Sequence, residues 1–132
     1  MQNHTHRAKR KGDEKWVEGY LYILGEDSQY EKTYILESLD ERETIYDLWK
    51  GAYLVIPETV GRFTGVYDRN NKKIFEGDIV RAMMDFGPAG YIESIAPIYW
   101  HNSCDCWCFN YFDMSTIEII GSMYDNPESL KE

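Results

Sequence analysis

Short runs of alternating apolar and polar residues dominate this chain and predict a mainly β protein. Residues 15–24 and 33–37 alternate as two strands around a turn and predict a first hairpin. Residues 49–56 return to the same pattern after a charged segment, residues 38–47, which we expect to be a helical turn or a solvated loop. Residues 57–60 open with proline and predict a single helical turn.

The central stretch, residues 61–81, combines turn chemistry with β patterning most closely. Gly65 begins a strand that stops at four turn-forming residues, Asp68 to Asn71, which predict a hairpin. A second sharp turn at Gly77 and Asp78 separates two apolar runs. We expect the Asp78 carboxylate to accept hydrogen bonds from nearby backbone N–H groups, which is a structural role.

Further apolar runs at residues 79–84, 91–100, 104–112 and 117–124 are separated by loops rich in Gly, Pro, Asn and Ser. Pro97 lacks an N–H and therefore predicts an edge strand or a bulge. Short strands in this arrangement favour a small SH3-like β-barrel from the Gly77 turn onward. Asn126 and Pro127 suit the N-cap and first position of a short final helix.

Four segments resemble one known family. The sequences PETVGRF, TGVYDRNNKKIFEGDIV and IEIIGSMYDNPESL, together with the opening RAKRKGDEKWVEGYL, are similar to motifs of the YopX family of phage and prophage proteins. Asn71 stands where that family usually has Gly. The resemblance implies a phage context and brings no catalytic residue. The motif positions for which we expect a structural role are Gly65, Asp68, Gly77, Asp78, Gly121, Asn126 and Pro127.

Length and charge predict the organisation of the chain. Its 132 residues suit one compact unit, which we divide into a flexible basic arm (residues 1–14), an N-terminal β-hairpin subdomain (15–60) and the barrel half packed on it (61–132). Residues 1–15 carry a net charge of +3. Because the whole chain carries −9, residues 16–132 carry −12. An acidic body disfavours direct nucleic-acid binding but is compatible with mimicry of nucleic acid toward a host DNA-binding protein.

Neither a membrane nor a disulfide framework is expected. No stretch approaches the roughly 20 apolar residues that cross a bilayer, and three cysteines within five residues suit a reducing compartment. We therefore expect the protein in the host cell cytoplasm.

The one group of residues that could bind a metal or react chemically consists of His101, Cys104, Cys106 and Cys108. Thiolate and imidazole are preferred zinc ligands, but the spacing lacks a C-x2-C knuckle and would need a sharp backbone bend. The alternatives are packed free thiols or a cysteine nucleophile paired with His101. If Cys104 to Phe112 form one strand, the three cysteines share a face.

These patterns favour a non-enzymatic phage or prophage accessory protein without a cofactor, which acts by binding an unidentified protein or copies of itself. The alternatives are a metal-binding module or small metal-dependent enzyme using the His and Cys residues, and the acidic mimic. Binding surfaces are expected on residues 27–49 and 83–112, which lie outside the family motifs.

Overall fold

The computed structural model describes residues 5–37, 51–103, 106, 107, 109 and 112–128, and its strands form two antiparallel sheets. Two 3-10 turns, Pro57–Thr59 and Gly87–Ala89, interrupt them. The strand orders are β4-β3-β2-β1-β5-β6 and β8-β7-β9. The strands are β1 (His6–Lys9), β2 (Trp16–Leu24), β3 (Lys32–Leu36), β4 (Ala52–Leu54), β5 (Gly61–Tyr67), β6 (Lys73–Phe75), β7 (Asp78–Asp85), β8 (Tyr91–Pro97) and β9 (Glu118–Ser122).

The contacts divide the chain into two compact units, residues 1–63 and 64–132, and strand β5 contributes residues to both. The predicted mainly β class is confirmed. The predicted hairpin of residues 15–24 and 33–37 corresponds to β2 and β3, and the predicted helical turn corresponds to the 3-10 turn at Pro57. The charged segment at residues 38–47 lies outside the described residues.

The first unit is built on the register of β2 with its neighbours. Gly19 on β2 pairs with His6, and a Cβ at this position would overlap the backbone oxygen of Leu36 on β3. Only glycine therefore permits so close an approach of the two strands. A small core fills the unit, in which Ala8, Ile35 and Val55 are fully buried, with Val17, Leu21, Tyr53 and Val60 packed against it.

The prediction of a flexible arm over residues 1–14 is wrong for residues 6–9, which form β1. Ala8 is fully buried opposite Val17, and the Lys9 N–H donates to Thr59 Oγ1 at 2.9 Å. The basic side chains lie against an aromatic ring, since the Arg7 guanidinium carbon is 4.3 Å from the centroid of Trp16. The positive charges that suggested a solvated arm are therefore compatible with a paired strand, because long basic side chains pack their stems and heads on aromatic faces.

The second unit contains the part of β5 from Thr64 onward, β6 and the sheet β8-β7-β9. Its core consists of Ile74, Val80, Ala82, Ile98 and Ile117, all at most 2% exposed. Trp107, Phe109 and Phe112 pack on this core from outside the extended strands, together with Val66 and Ile119.

The predicted SH3-like barrel is not confirmed, because the strands from Gly77 onward form an open three-stranded sheet in the part of the chain that the structure describes. The aromatic residues that we assigned to a strand over 104–112 cover the core instead of adding an extended strand there, as far as they are described. Pro127 and Glu128 adopt a 3-10 conformation, and the rest of the predicted final helix lies outside the described residues.

Candidate functional site

The buried carboxylate of Asp68 joins two parts of the second unit. It is 4% exposed, and its Oδ1 accepts the N–H groups of Asn70 and Lys72 at 2.8 and 2.9 Å. Its Oδ2 accepts the N–H of Ile119 on β9 at 3.1 Å. Asp68 therefore closes the β5-β6 turn and holds that turn against β9.

This environment has opposing effects on the pKa of the Asp68 carboxyl. Burial raises the pKa, but the three backbone N–H donors and the charge of Lys72 lower it by more, so the net pKa lies below the ordinary value of 3.8. Asn71 in the same turn has a φ of 63°, in the left-handed region that the turn requires. Asn71 thus supplies a positive φ, a conformation that glycine would also adopt readily at this position.

The second turn of the motif packs against the end of β9. Gly77 has a φ of 93°, and a Cβ there would lie 2.9 Å from the Tyr124 ring. The N–H of Met123 donates to the Gly77 carbonyl oxygen at 2.8 Å. Asp78 is 1% exposed, and its Oδ2 accepts the N–H of Phe75 at 2.7 Å, the hydrogen bond expected of a carboxylate at this turn.

Gly121 and Asn126 also lie in contact. A Cβ at Gly121 would lie 2.9 Å from the Asn126 side chain, and the Asn126 N–H donates to the Ser122 carbonyl oxygen at 2.8 Å. The motif residues Gly65, with a φ of 85° on β5, and Pro127 lie in exposed backbone. The motif thus brings two distant segments together around turns, and its polar atoms bond backbone groups.

His101 and Cys106 face each other across a short hairpin. Each N–H donates to the carbonyl oxygen of the other, at 2.9 Å for His101 and 3.3 Å for Cys106. The indoles of Trp100 and Trp107, one pair further out, meet edge to face with centroids 5.1 Å apart. Directly paired residues project on the same side of a hairpin, so the His101 and Cys106 side chains do so here.

Cys104 and Cys108 lie outside the described residues, so of the four candidate residues the structure describes only His101 and Cys106. Among the side chains that the structure describes, no group of three or more His, Cys, Asp or Glu residues could hold a metal ion.

Strand β8 lies at the edge of the described three-stranded sheet, which is one of the two placements that Pro97 predicted. The Phe86 N–H donates to the Gly90 carbonyl oxygen at 2.9 Å, and the Ile98 N–H donates to the Asp78 carbonyl oxygen at 2.8 Å. With the register of β7 and β8, the even-numbered residues of β8 bond β7, because bonding alternates along an antiparallel pair. The N–H and C=O groups of Tyr91, Glu93 and Ile95 therefore point away from the sheet, and no described strand pairs with them.

Apolar side chains are exposed at the same edge. Tyr91 is 59% exposed, Ile92 56% and Phe86, in the adjoining turn, 44%. Burial of such side chains is favourable by roughly 25 cal/mol per Å² of apolar surface. Open backbone groups beside exposed apolar side chains are the features that let a strand pair with another chain. We call residues 91–97 with their outward backbone groups the β8 edge.

A shallow groove of about 300 Å³ lies on the second unit beside the β8 edge. Arg81 and Glu118 are directly opposite on β7 and β9 and form an ion pair of 2.8 Å. Arg69 and Glu93 add one charge of each sign. The residues that line the groove are Arg69, Arg81, Ala82, Met83, Glu93, Thr116 and Glu118. Because its charges balance, the groove favours neither an anion nor a cation.

Sequence reasoning placed a binding surface within residues 83–112, and the β8 edge falls in that range. It missed which backbone groups are open, since that depends on the pairing register. Pro97 was the one available signal, because proline is tolerated where a strand has an unpaired side.

The fold and these surfaces define a class, a β protein of two compact units whose motif residues support turns and whose second unit has an open strand edge. No helix in the described part of the chain is long and apolar enough to cross a membrane.

A family model described as YopX protein matches residues 5–131. The chain therefore belongs to the YopX family. Its structure is similar to the crystal structure of protein EF1440 from Enterococcus faecalis, with a TM-score of 0.52 and 20% identity, covering 98% of this chain and 99% of that one. At this identity the likeness shows the fold alone. No curated protein matches the sequence.

Proposed function

We propose that this chain is a non-enzymatic accessory protein of the phage type, which acts in the host cell cytoplasm by binding a protein, either another protein or a copy of itself. The phage context follows from the resemblance of its motifs to YopX proteins. The observation that carries the proposal is the β8 edge, where outward backbone groups lie beside Tyr91 and Ile92, more than half exposed.

The arrangement of the motif supports a binding role over a catalytic one. The carboxylates of Asp68 and Asp78 accept backbone N–H groups at 2.7 to 3.1 Å. Carboxylates engaged in this way, and almost wholly buried, hold the turns and are poorly placed to exchange protons with a substrate.

The test combines two measurements on the full chain. Sedimentation velocity over a wide concentration range detects self-association, and immobilised protein is challenged with host lysate to detect a partner retained in stoichiometric amount. We expect one of the two, and we expect it to be weakened when Tyr91 and Ile92 are both replaced by Ser.

Leu24→Ser is the matched control, because Leu24 is 38% exposed at the end of β2 and lies outside both expected binding surfaces. It removes an exposed apolar side chain away from the β8 edge and should leave association unchanged. Wild-type protein that neither self-associates nor retains a partner would refute the proposed function.

The pairing of His101 with Cys106 favours a second candidate, a metal-binding module. The two side chains project on the same side of the hairpin, which is the placement that a shared tetrahedral ion would need. Cys104 and Cys108 are the remaining thiols that could contribute.

Elemental analysis of protein purified without an affinity tag tests this candidate. About one zinc per chain, lost in Cys106→Ser, would support a thiolate site. A metal content far below one ion per chain in wild type, unchanged in Cys106→Ser, would exclude this candidate.

A further inference from the structure

We propose that strand β8 pairs antiparallel with β8 of a second copy, with the two-fold axis passing beside Ser94. This inference rests on the proposed binding function and specifies the partner. The paired strands would join two β8-β7-β9 sheets into one continuous sheet.

The backbone of the β8 edge supplies the first part of the argument. Tyr91, Glu93 and Ile95 point N–H and C=O groups outward, and Pro97 adds a carbonyl oxygen on the same side. In a pairing centred on Ser94, residue 93 stands opposite residue 95 of the partner, and residue 91 opposite residue 97. All seven residues of β8 are then covered. Pro97 costs one donor at the end of the ladder.

Charge and coverage select this register over its two neighbours, since centring the axis on Ile95 would pair only residues 93–97 of the strand. Centring the axis on Glu93 would place two glutamates directly opposite each other, which destabilises an antiparallel pair. Centring it on Ser94 places Glu93 opposite Ile95 and leaves no like charges facing. Glu93 is the only charged residue in β8, so a second copy meets no other repulsion along the strand.

The same register also brings opposite charges together. Arg81 pairs with Ile95 across β7 and β8, so Glu93 of the partner would lie in the same row, two strands from Arg81. Strands are about 4.8 Å apart, which puts the two Cα atoms roughly 10 Å apart, within the combined reach of Arg and Glu side chains. Arg81 would then lie between Glu118 of its own chain and the incoming Glu93. The opposite face of the strand would place Ile92 against Ala96.

Cysteine substitution at the axis tests the register. Ser94 would face Ser94 of the partner as a non-hydrogen-bonded pair with Cα atoms about 4.5 Å apart, which lies within the range of about 4.4–6.8 Å for disulfides. We expect Ser94→Cys to form a covalent dimer under mild oxidation. Peptide mapping would locate the new disulfide and distinguish it from any bond of the native cysteines.

Two matched substitutions on the same strand serve as controls. In the proposed register, residue 96 is offset by four residues from its copy, roughly 13 Å along the strands, and residue 93 is offset by two. Ala96→Cys and Glu93→Cys should therefore cross-link at least about tenfold less than Ser94→Cys, because a disulfide cannot span those separations. A cross-link stronger at position 93 or 96 would overturn the register.

Substitution of Glu93 by Pro tests the edge without depending on cross-linking. The N–H of Glu93 points outward, so its removal blocks pairing with a second copy and spares the hydrogen bonds to β7. We expect a monomer in sedimentation with an unchanged circular dichroism spectrum. Glu93→Ala, which keeps the N–H and removes the charge, should retain most of the dimer.

The outcomes separate this inference from the proposed function. Monomeric wild-type protein that still retains a stoichiometric partner would overturn the β8 pairing and leave the proposed function standing. A dimer that persists in Glu93→Pro and gives no Ser94→Cys disulfide would also overturn the pairing. Absence of any association would refute both.

Discussion

Replacement of Asp68 by Asn tests the hydrogen bonds by which Asp68 connects the β5-β6 turn to β9. Asn has nearly the same shape as Asp but only one acceptor oxygen. If that oxygen keeps the N–H groups of Asn70 and Lys72, the NH2 group must face the N–H of Ile119. The opposite orientation leaves two backbone donors facing the NH2 group. Either orientation places donors against each other in a site where Asp68 is 4% exposed.

The expected loss of stability follows from these contacts. A buried donor without an acceptor costs about 1–3 kcal/mol, and hydrogen bonds that lose an ionised acceptor weaken by roughly half. Together these effects predict that Asp68→Asn lowers the free energy of unfolding by about 3 kcal/mol. With a urea m-value near 2 kcal/mol/M, the midpoint would shift by about 1.5 M.

The pH dependence gives a second readout. The pKa of Asp68 is lowered on folding, so its ionised form stabilises the protein above the unfolded pKa, and this contribution is lost as the pH falls through the folded pKa. The gap between wild type and Asp68→Asn should therefore be full at pH 7 and narrow below about pH 4.

Urea unfolding at several pH values, with hydrogen exchange of the Asn70, Lys72 and Ile119 amides, measures both effects. Asp85→Asn is the control, since Asp85 is exposed and its Oδ1 accepts the Gly87 N–H at 2.8 Å within one turn. It should cost under about 0.5 kcal/mol. Equal stability of the two variants at pH 7, or a gap that does not narrow in acid, would refute the reasoning.

Two further predictions concern a glycine and a tyrosine. In urea unfolding, Gly77→Ala should destabilise the protein by at least about 1 kcal/mol more than Gly65→Ala. Both glycines have positive φ, but only at Gly77 would a new Cβ contact a ring, that of Tyr124. Equal losses of stability would contradict this. The Tyr53 hydroxyl donates to Glu37 at 3.1 Å, and this bond raises the pKa of Tyr53 above 10.0. Glu37→Gln should lower that pKa in an NMR titration, and an unchanged pKa would contradict the assignment.

Local turn chemistry explains what was predictable from the sequence. The hairpin at Asp68 to Asn71, the turn at Gly77 and the hydrogen bond of Asp78 depend on residues within a few positions of one another. Glycine and asparagine indicate positive φ directly. The β2-β3 hairpin followed from alternation for the same reason.

Features that depend on distant contacts were not predictable in this way. The bond from Asp68 to Ile119 spans 51 residues, and no spacing rule indicates it. Strand β1 was missed because Arg7 and Lys9 dominate its composition, whereas its place in the sheet depends on Ala8 at its centre. Whether the strands from Gly77 onward close into a barrel depends on tertiary packing, which periodicity alone does not encode. The outward N–H and C=O groups of the β8 edge depend on the pairing register of β7 and β8. Pro97 indicated an edge or a bulge but not that register.

The contact between Gly77 and Tyr124 has a consequence for how this protein can be recombined with its relatives. The two residues lie in separate motif segments, and the Met123 N–H donates to Gly77 across the same junction. A hybrid that takes residues 61–81 from one YopX protein and the C-terminal segment from another should lose stability unless the side chain at one position fits the space at the other. Exchanging the two segments together would keep this contact, whereas exchanging one alone would disturb it.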